Sequence, residues 1–315
     1  MKTVILDAGT LGDDVDLSAF EKFGPVEVYE KTAPGEVAER LDGADAAVLN
    51  KVKLNRGTVG ETTTLRLVLI AATGYDNVDL EYMKERGVAV CNVAGYSTDS
   101  VAQLTITTAL SLVTNLYAFN SFVRDGSYSR SGAANRLTPV YHEIAGMTWG
   151  VVGYGNIGRR VADAARALGC RVIAVKRTPT DEVECVSVDE LCRRADIITL
   201  HVPLNEETRG MISRERIAAM KKSAVVVNAA RGAVADEEAL CEAIAEGRLH
   251  GIGSDVFSTE PFGEDSPYYK VKDLPNVCLT PHMAWGSYEA RVRVIDEMVK
   301  NAEAFLAGER RSRIV

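Results

Sequence analysis

Short apolar runs alternate along the chain with stretches of helical period, and the alternation starts twice. From the N-terminus come an apolar run at 4–6, a helical pattern over 17–23, a Gly24-Pro25 break, a run at 26–29, a helical pattern over 36–41 and a run at 46–49. A run at 67–71, a helix over 80–86 ended by Gly87, and a run at 88–91 continue the series. Runs of this length between helices are what parallel strands look like when both faces are covered, so residues 1–97 predict one parallel-sheet domain. Ser97 then reads as the N-cap of a long helix from Thr98 to about Phe119, with Val101, Leu104, Ile106, Ala109, Leu112, Val113 and Leu116 on its apolar side. Residues 120–145 are irregular, polar and long for a loop inside a compact domain, which points to a functional or partner-binding segment, here read as a dimer arm.

The second series places strands at 151–152, 172–175, 197–200, 225–228, 251–256 and 277–280, six in all. The tail contains little beyond one helix over 288–306, too small for a core of its own, and is expected to pack back on the first domain. The predicted class is α/β with two doubly wound parallel sheets. A Rossmann dinucleotide-binding domain, 98–281, is inserted in a discontinuous flavodoxin-like substrate domain, 1–97 and 282–315, with a cleft expected between them.

The turn after the first strand of the second series reads Gly153-Tyr154-Gly155-Asn156-Ile157-Gly158. Glycine at 153 permits the tight turn, glycine at 155 lets the backbone approach a pyrophosphate, and glycine at 158 lets helix and strand pack closely. The strand before it and the apolar-periodic helix after it (Ile157, Val161, Ala164, Ala165, Leu168) supply the context that makes the motif a dinucleotide site. An acid at the end of the next strand holds the ribose 2′-hydroxyl of NAD. Here that position, eighteen residues past Gly158, is Lys176, followed by Arg177 and Thr178. Two cations and a hydroxyl suit a 2′-phosphate, so NADP(H) is favoured, with NAD(H) the alternative. His201-Val202-Pro203 and Thr208, beyond the third strand, are further candidates to line the cofactor, His201 through its backbone; His142 and His250 read as structural or solvated.

Chemistry on a nicotinamide needs a group to hold the substrate anion and a proton donor beside the carbonyl. Asn228-Ala229-Ala230-Arg231-Gly232 follows the fourth strand, Asp255 to Glu260-Pro261 follows the fifth, and Thr280-Pro281-His282 follows the sixth. Three successive strands thus carry an arginine, a carboxylate and a histidine to one sheet edge. A guanidinium grips a carboxylate bidentately, and a carboxylate beside a histidine stabilises its protonated form, so the imidazole can serve as acid in one direction and base in the other. In the first domain, the loops Asn50-Lys51-Val52 and 73–77 lie where such sheets bind ligands and read equally as polar turns or ligand loops.

With 315 residues and 46% hydrophobic composition the chain has material for two cores, and its net charge of -8 argues against a dedicated nucleic-acid or anionic-membrane surface, leaving room for a local basic spot. The N-terminal apolar stretch ends at Asp7, too short for a signal peptide, and a cytoplasmic protein is expected. Cysteines 91, 170, 185, 192, 241 and 278 include no C-x-x-C pair and read as reduced structural thiols, with no metal site.

On the N-A-A-R-G, D-V-F-x-x-E-P and T-P-H motifs, in matching order and spacing, the chain resembles along its whole length the D-isomer-specific 2-hydroxyacid dehydrogenases. The resemblance implies that Arg231 binds the substrate carboxylate and polarises the carbonyl, that Glu260 pairs with His282, and that His282 is the general acid or base while hydride passes between nicotinamide C4 and substrate C2. It also implies that Asp255 holds the nicotinamide amide, that the backbone at Thr73 and Gly74 takes the substrate carboxylate, that the 50–52 loop closes over the substrate, and that the protein is a homodimer through its cofactor domains. The stretches 50–52, 72–79, 92–97, 101–103 and His282-Met283-Ala284-Trp285 are most similar to glycerate dehydrogenases, also called hydroxypyruvate reductases. Gln103 stands where most relatives carry glutamate, Ala94 replaces a common proline, and Lys176 departs from the usual NAD pattern; Trp285 reads either as a wall of the substrate pocket, slightly favoured, or as packing between the domains. The expected reaction is reduction of a small polar 2-oxo acid, hydroxypyruvate or glyoxylate, to D-glycerate or glycolate. The alternatives are an NAD-dependent dehydrogenase for D-lactate or another D-2-hydroxy acid and, in a different class, a dinucleotide-sensing corepressor-like binding protein, against which the intact Arg231, Glu260 and His282 set argues. Formate oxidation is disfavoured because the formate enzymes carry glutamine where this chain has Glu260.

Overall fold

The first apolar series forms a five-stranded parallel sheet in the computed structural model, which describes residues 1–60 and 64–315. Its strands are β1 (Thr3–Ile5), β2 (Val26–Val28), β3 (Ala46–Leu49), β4 (Leu67–Ile70) and β5 (Ala89–Cys91), in spatial order β2-β1-β3-β4-β5. That is the doubly wound order of flavodoxin-like sheets. Alternate residues face a core of Val4, Leu6, Ala47, Leu49, Val68, Ile70 and Val90, closed by Val37, Leu41, Tyr82 and Met83 from the connecting helices. The chain divides into two compact units, Met1–Ser97 with Gly286–Val315, and Thr98–Trp285. In the first, the helix Tyr288–Leu306 lies against β4, and Ile314 donates its N–H to Val90 O at 2.8 Å, so the tail completes this unit.

The second unit is built on a seven-stranded parallel sheet: β6 (Thr148–Val152), β7 (Arg171–Val175), β8 (Glu184–Cys185), β9 (Ile197–Leu200), β10 (Val225–Asn228), β11 (Gly251–Ser254) and β12 (Val277–Leu279). The spatial order is β12-β11-β10-β9-β6-β7-β8. One face buries Val152, Ile198, Leu200, Val226 and Ile252. The other buries Val151, Ile197, Val225, Val227 and Cys278 under the helices Thr98–Val113 and Asn156–Ala167. This period of two with both faces apolar is why the strands read as continuous hydrophobic runs. The order reverses between β6 and β9, and the carboxyl ends of those two strands are where a doubly wound sheet opens a crevice for a ligand.

Three features differ from the expectation. The sheet has a seventh strand, β8, only two residues long at the sheet edge, with no apolar run to announce it. The long helix stops at Val113; Asn115 takes a left-handed φ of 53° and donates its side-chain N–H to Val140 O at 3.2 Å. The chain resumes as the helix Leu116–Arg124, bent 69° from the first, and a further helix, Ser127–Ser131, occupies part of the stretch read as irregular. Finally, His282 to Trp285 group with the second unit, because Asp255 and Ser100 bond the backbone of Met283 and Ala284. Among the described residues no single helix is long and apolar enough to cross a membrane.

Candidate active site

At the mouth of the crevice Gly153 adopts a φ of 98°, and an added Cβ would stand 2.8 Å from the His201 carbonyl. The turn after β6 therefore packs against the end of β9 as only glycine allows. A Cβ on Gly158 would overlap Gly153 O, whereas one on Gly155 would meet nothing within 4 Å. Tyr154 and Gly158 are buried; Gly155 and Asn156 are exposed and Ile157 half-buried at the start of the helix Asn156–Ala167. The result is an open cradle whose helix N-terminus suits an anion.

Both ring nitrogens of His201 are sealed from solvent and lack a hydrogen-bond partner among the described residues, and burial pulls its pKa down to about 3. The imidazole is held neutral beside that cradle, an orphaned donor and acceptor pair. Thr208 is buried, donating its hydroxyl to Pro203 O at 2.6 Å, which fixes the 203–208 turn. Lys176 is half-buried at the end of β7, and Arg177 and Thr178 are exposed beyond it. These groups fit a dinucleotide: open backbone for the pyrophosphate at 153–158 and two cations where the adenosine ribose would lie.

The carboxyl ends of β10, β11 and β12 bring the three expected chemical groups together on one edge. Asn228, almost fully buried, accepts the Ala230 N–H at 3.0 Å and donates to Arg231 O at 2.9 Å, closing the turn that carries the arginine. His282 Nδ1 lies 2.6 Å from Glu260 Oε2, while Glu260 Oε1 accepts the Phe257 N–H at 2.9 Å. An ionised carboxylate only accepts, so the Nδ1 hydrogen is committed to Glu260, and proton exchange at this ring belongs to Nε2.

His282 itself sits at a φ of 53°, a left-handed conformation uncommon outside glycine and one that the surrounding hydrogen bonds here support. Asp255 supplies the hold. Its Oδ1 accepts the Thr280 hydroxyl at 2.6 Å and the Met283 N–H at 2.9 Å, and its Oδ2 accepts the Ala284 N–H at 2.9 Å. Burial raises the Asp255 carboxyl above its ordinary range and these three donors oppose the rise. Trp285 donates Nε1–H to His282 O at 2.9 Å, closing the turn from the other side.

In the first unit, loop 50–52 follows β3 and loop 73–77 follows β4. The Asp7 carboxylate accepts all three amides of the former, Asn50 at 2.9 Å, Lys51 at 2.6 Å and Val52 at 3.0 Å. Asn77 Nδ2 donates to Asn50 O and Val52 O, which joins the two loops. Asn50 turns its side chain inward to Thr10, and Lys51 is exposed. Thr73 is exposed; its hydroxyl donates to Val93 O at 2.9 Å and its carbonyl accepts from Asn92 at 2.7 Å, and Gly74 follows half-buried.

Asp7 was not among the candidates read from the sequence, and Asn77 and Asn92 entered only as members of the stretches 73–77 and 92–97, with no role of their own. The one available signal was an acid directly after an apolar strand at Asp7, since the amides it serves lie more than forty residues away.

The profile of the D-isomer-specific 2-hydroxyacid dehydrogenase NAD-binding domain matches residues 106–284. A glycerate dehydrogenase of Methylorubrum extorquens is 37% identical over 309 residues, covering 98% of this chain and 97% of its own. A hydroxypyruvate reductase of Blautia hydrogenotrophica is 35% identical, covering 98% of each chain. A crystal structure from Thermus thermophilus superposes with a TM-score of 0.88 at 32% identity over 100% of both chains. With two parallel sheets, a dinucleotide cradle at the strand-order reversal and a histidine–carboxylate pair on the same sheet, the chain belongs to the D-isomer-specific 2-hydroxyacid dehydrogenases, oxidoreductases that interconvert 2-oxo acids and D-2-hydroxy acids.

Proposed function

We propose that the chain reduces a small polar 2-oxo acid, hydroxypyruvate or glyoxylate, to D-glycerate or glycolate with NADPH. The observation that carries the mechanism is the 2.6 Å contact of His282 Nδ1 with Glu260. It commits Nδ1 to the carboxylate, and Nε2 is assigned as the proton donor. When bound, the nicotinamide supplies the hydride that reaches substrate C2. The chain's own residues do the rest. Arg231 pairs with the substrate carboxylate and polarises the carbonyl, His282 Nε2 gives its proton to the carbonyl oxygen, and Glu260 stabilises the imidazolium. Asp255 keeps the histidine turn in place and is assigned to the nicotinamide amide. Thr73 and Gly74 offer backbone N–H groups to the substrate, and Lys51, Val52 and Trp285 wall it. The amides of 50–52 already serve Asp7, so that loop acts through side chains.

Residues 153–158, His201 to Pro203, Thr208 and Asn228 to Ala230 are assigned to the dinucleotide. Lys176 and Arg177 are assigned to a 2′-phosphate, since no carboxylate occupies the position that would hold a ribose diol. The glycerate dehydrogenase and hydroxypyruvate reductase among the relatives support the substrate class. A cytoplasmic homodimer completes the reading, supported by six free cysteines and by the apolar side chains exposed on the segment after Asn115.

The test is steady-state reduction of hydroxypyruvate, glyoxylate and pyruvate, each with NADPH and NADH, by the parent and by a variant with Lys176→Ala and Arg177→Ala. Preference for hydroxypyruvate with NADPH is expected, and the variant should lose about tenfold or more in NADPH affinity with little change for NADH. Equal loss for both cofactors removes the 2′-phosphate assignment. Turnover confined to pyruvate moves the substrate, and dinucleotide binding without turnover on any acid replaces the enzyme with a sensing protein.

A further inference from the structure

Glu237 opens the helix Glu237–Ala245 and has no part in the chemistry above, yet its carboxylate lies behind the catalytic edge. Its Oε1 accepts the Ser258 N–H at 2.8 Å. One residue back, the Phe257 N–H holds Glu260 at 2.9 Å, and Glu260 reaches His282 at 2.6 Å. Gly232, next to Arg231, presses on the same point. A Cβ there would overlap the Phe257 carbonyl carbon and the Ser258 nitrogen and would stand 2.6 Å from Glu237 Oε1. One carboxylate therefore sits where the turn carrying the arginine meets the loop carrying the glutamate.

Helix capping does not account for this placement. Asp236 already caps the helix, accepting the Ala239 N–H at 2.9 Å. An acid in the first turn gains from the helix dipole while fully solvated and has no need of burial. Glu237 instead sits in surroundings that oppose its charge: burial raises its carboxyl, Glu260 raises it further, and the Ser258 hydrogen bonds oppose both. The groups facing it are Glu260 from the loop, Cys241 from its own helix and Tyr268 from the segment Pro267–Lys270, with His282 beyond Glu260 and Lys270 near Cys241. The Cys241 thiol, pushed up to about 12, and the buried Tyr268 hydroxyl stay neutral, which leaves Glu260 as the charged neighbour that acts on it.

We propose that Glu237 is a positioning residue of the acid–base pair, holding the Ser258 amide so that the 257–260 loop sits against Gly232 at the height from which Glu260 meets His282. This rests on the reading of His282 as the acid and Glu260 as its partner. The experiment compares Glu237→Ala, Glu237→Gln and His282→Ala. It measures kcat and KM for the 2-oxo acid, dinucleotide affinity by fluorescence titration, thermal melting and the pH profile of kcat/KM.

Glu237→Ala should lose about tenfold or more in kcat, with dinucleotide affinity held within about twofold. Glu237→Gln keeps an acceptor for the Ser258 amide and should recover most of that turnover. Reduction needs protonated His282, and the Gln variant has one negative charge fewer to stabilise it, so the alkaline limb of its profile should move to lower pH. With His282→Ala inactive, a parental kcat in Glu237→Ala, or a Gln variant as impaired as the Ala variant, overturns the positioning role. A fully active His282→Ala overturns the acid assignment instead. If Glu237→Ala does not fold, the Gln variant decides, and an alkaline limb that stays at the parental pH overturns the proposal.

Discussion

His201 shows how a single side chain ties the fold to pH. Its ring nitrogens are buried without partners among the described residues and its pKa falls to about 3, against about 6.5 in an unfolded chain. Between those values the unfolded chain binds a proton that the folded chain refuses. Stability is therefore full above about pH 6.5 and is lost as the pH falls, by about 1.4 kcal/mol per pH unit for one such proton. The carboxylates that the fold holds below their ordinary range, such as Glu297 beside Arg311, titrate lower, and Asp255 and Glu237, raised by burial, act with the opposite sign, so it is the histidine that removes stability as the pH falls from about 6.5 to 5. Replacing His201 with Phe should flatten the fall in melting temperature over that window while leaving the melt above pH 7 little changed. A variant whose melting temperature falls as steeply as the parent's would show that the ring is not the proton acceptor.

At the scale of elements, the histidine proposed as the acid is less a residue than a turn. The segment from Thr280 to Ala284 is held by one carboxylate at the end of β11, and Asp255→Asn removes an acceptor from that set and puts a donor against a backbone N–H. An amide oxygen on Oδ1 would still serve Thr280 and Met283, so the Ala284 amide loses its partner and the left-handed turn relaxes. We expect kcat to fall by about tenfold or more and the melting temperature to drop; unchanged kcat in a well-folded variant would show that His282 holds its place without the clamp.

Much of this architecture was legible in the chain. Five strands of the first sheet, six of the second, the glycine cradle and the order of Arg231, Glu260 and His282 all follow from local patterns of residue type. What was not legible depends on contacts distant in sequence. Asp7 looks like a solvated strand end until the 50–52 amides are brought to it, and Glu237 looks like an ordinary first-turn acid until Ser258 arrives. The break at Asn115 was hidden because the apolar spacing of Leu112, Val113 and Leu116 continues through it. Two-residue β8 carries too little pattern to be seen at all.

At the scale of the molecule, one segment of the surface exposes several large apolar side chains. After Asn115, Leu116, Val123, Leu137, Val140 and Tyr141 are all more than half exposed, from 53% to 77%, and all belong to the cofactor-binding unit. The segment is anchored at its base, where the Tyr117 hydroxyl meets the Cys278 thiol of β12 at 3.1 Å, and Asn115 holds Val140. Its fixed base and apolar flank are what a self-complementary interface needs, since such a patch is costly in water and a second copy would cover it. Light scattering after gel filtration should give the mass of two chains for the parent. A variant with Val123→Glu and Leu137→Glu should give the mass of one, because each glutamate would lose its hydration in the interface without a cation opposite. Dinucleotide affinity should be kept, since the cradle at 153–158 lies on other elements. A parent that runs as a single chain at micromolar concentration would leave the exposed segment to another partner.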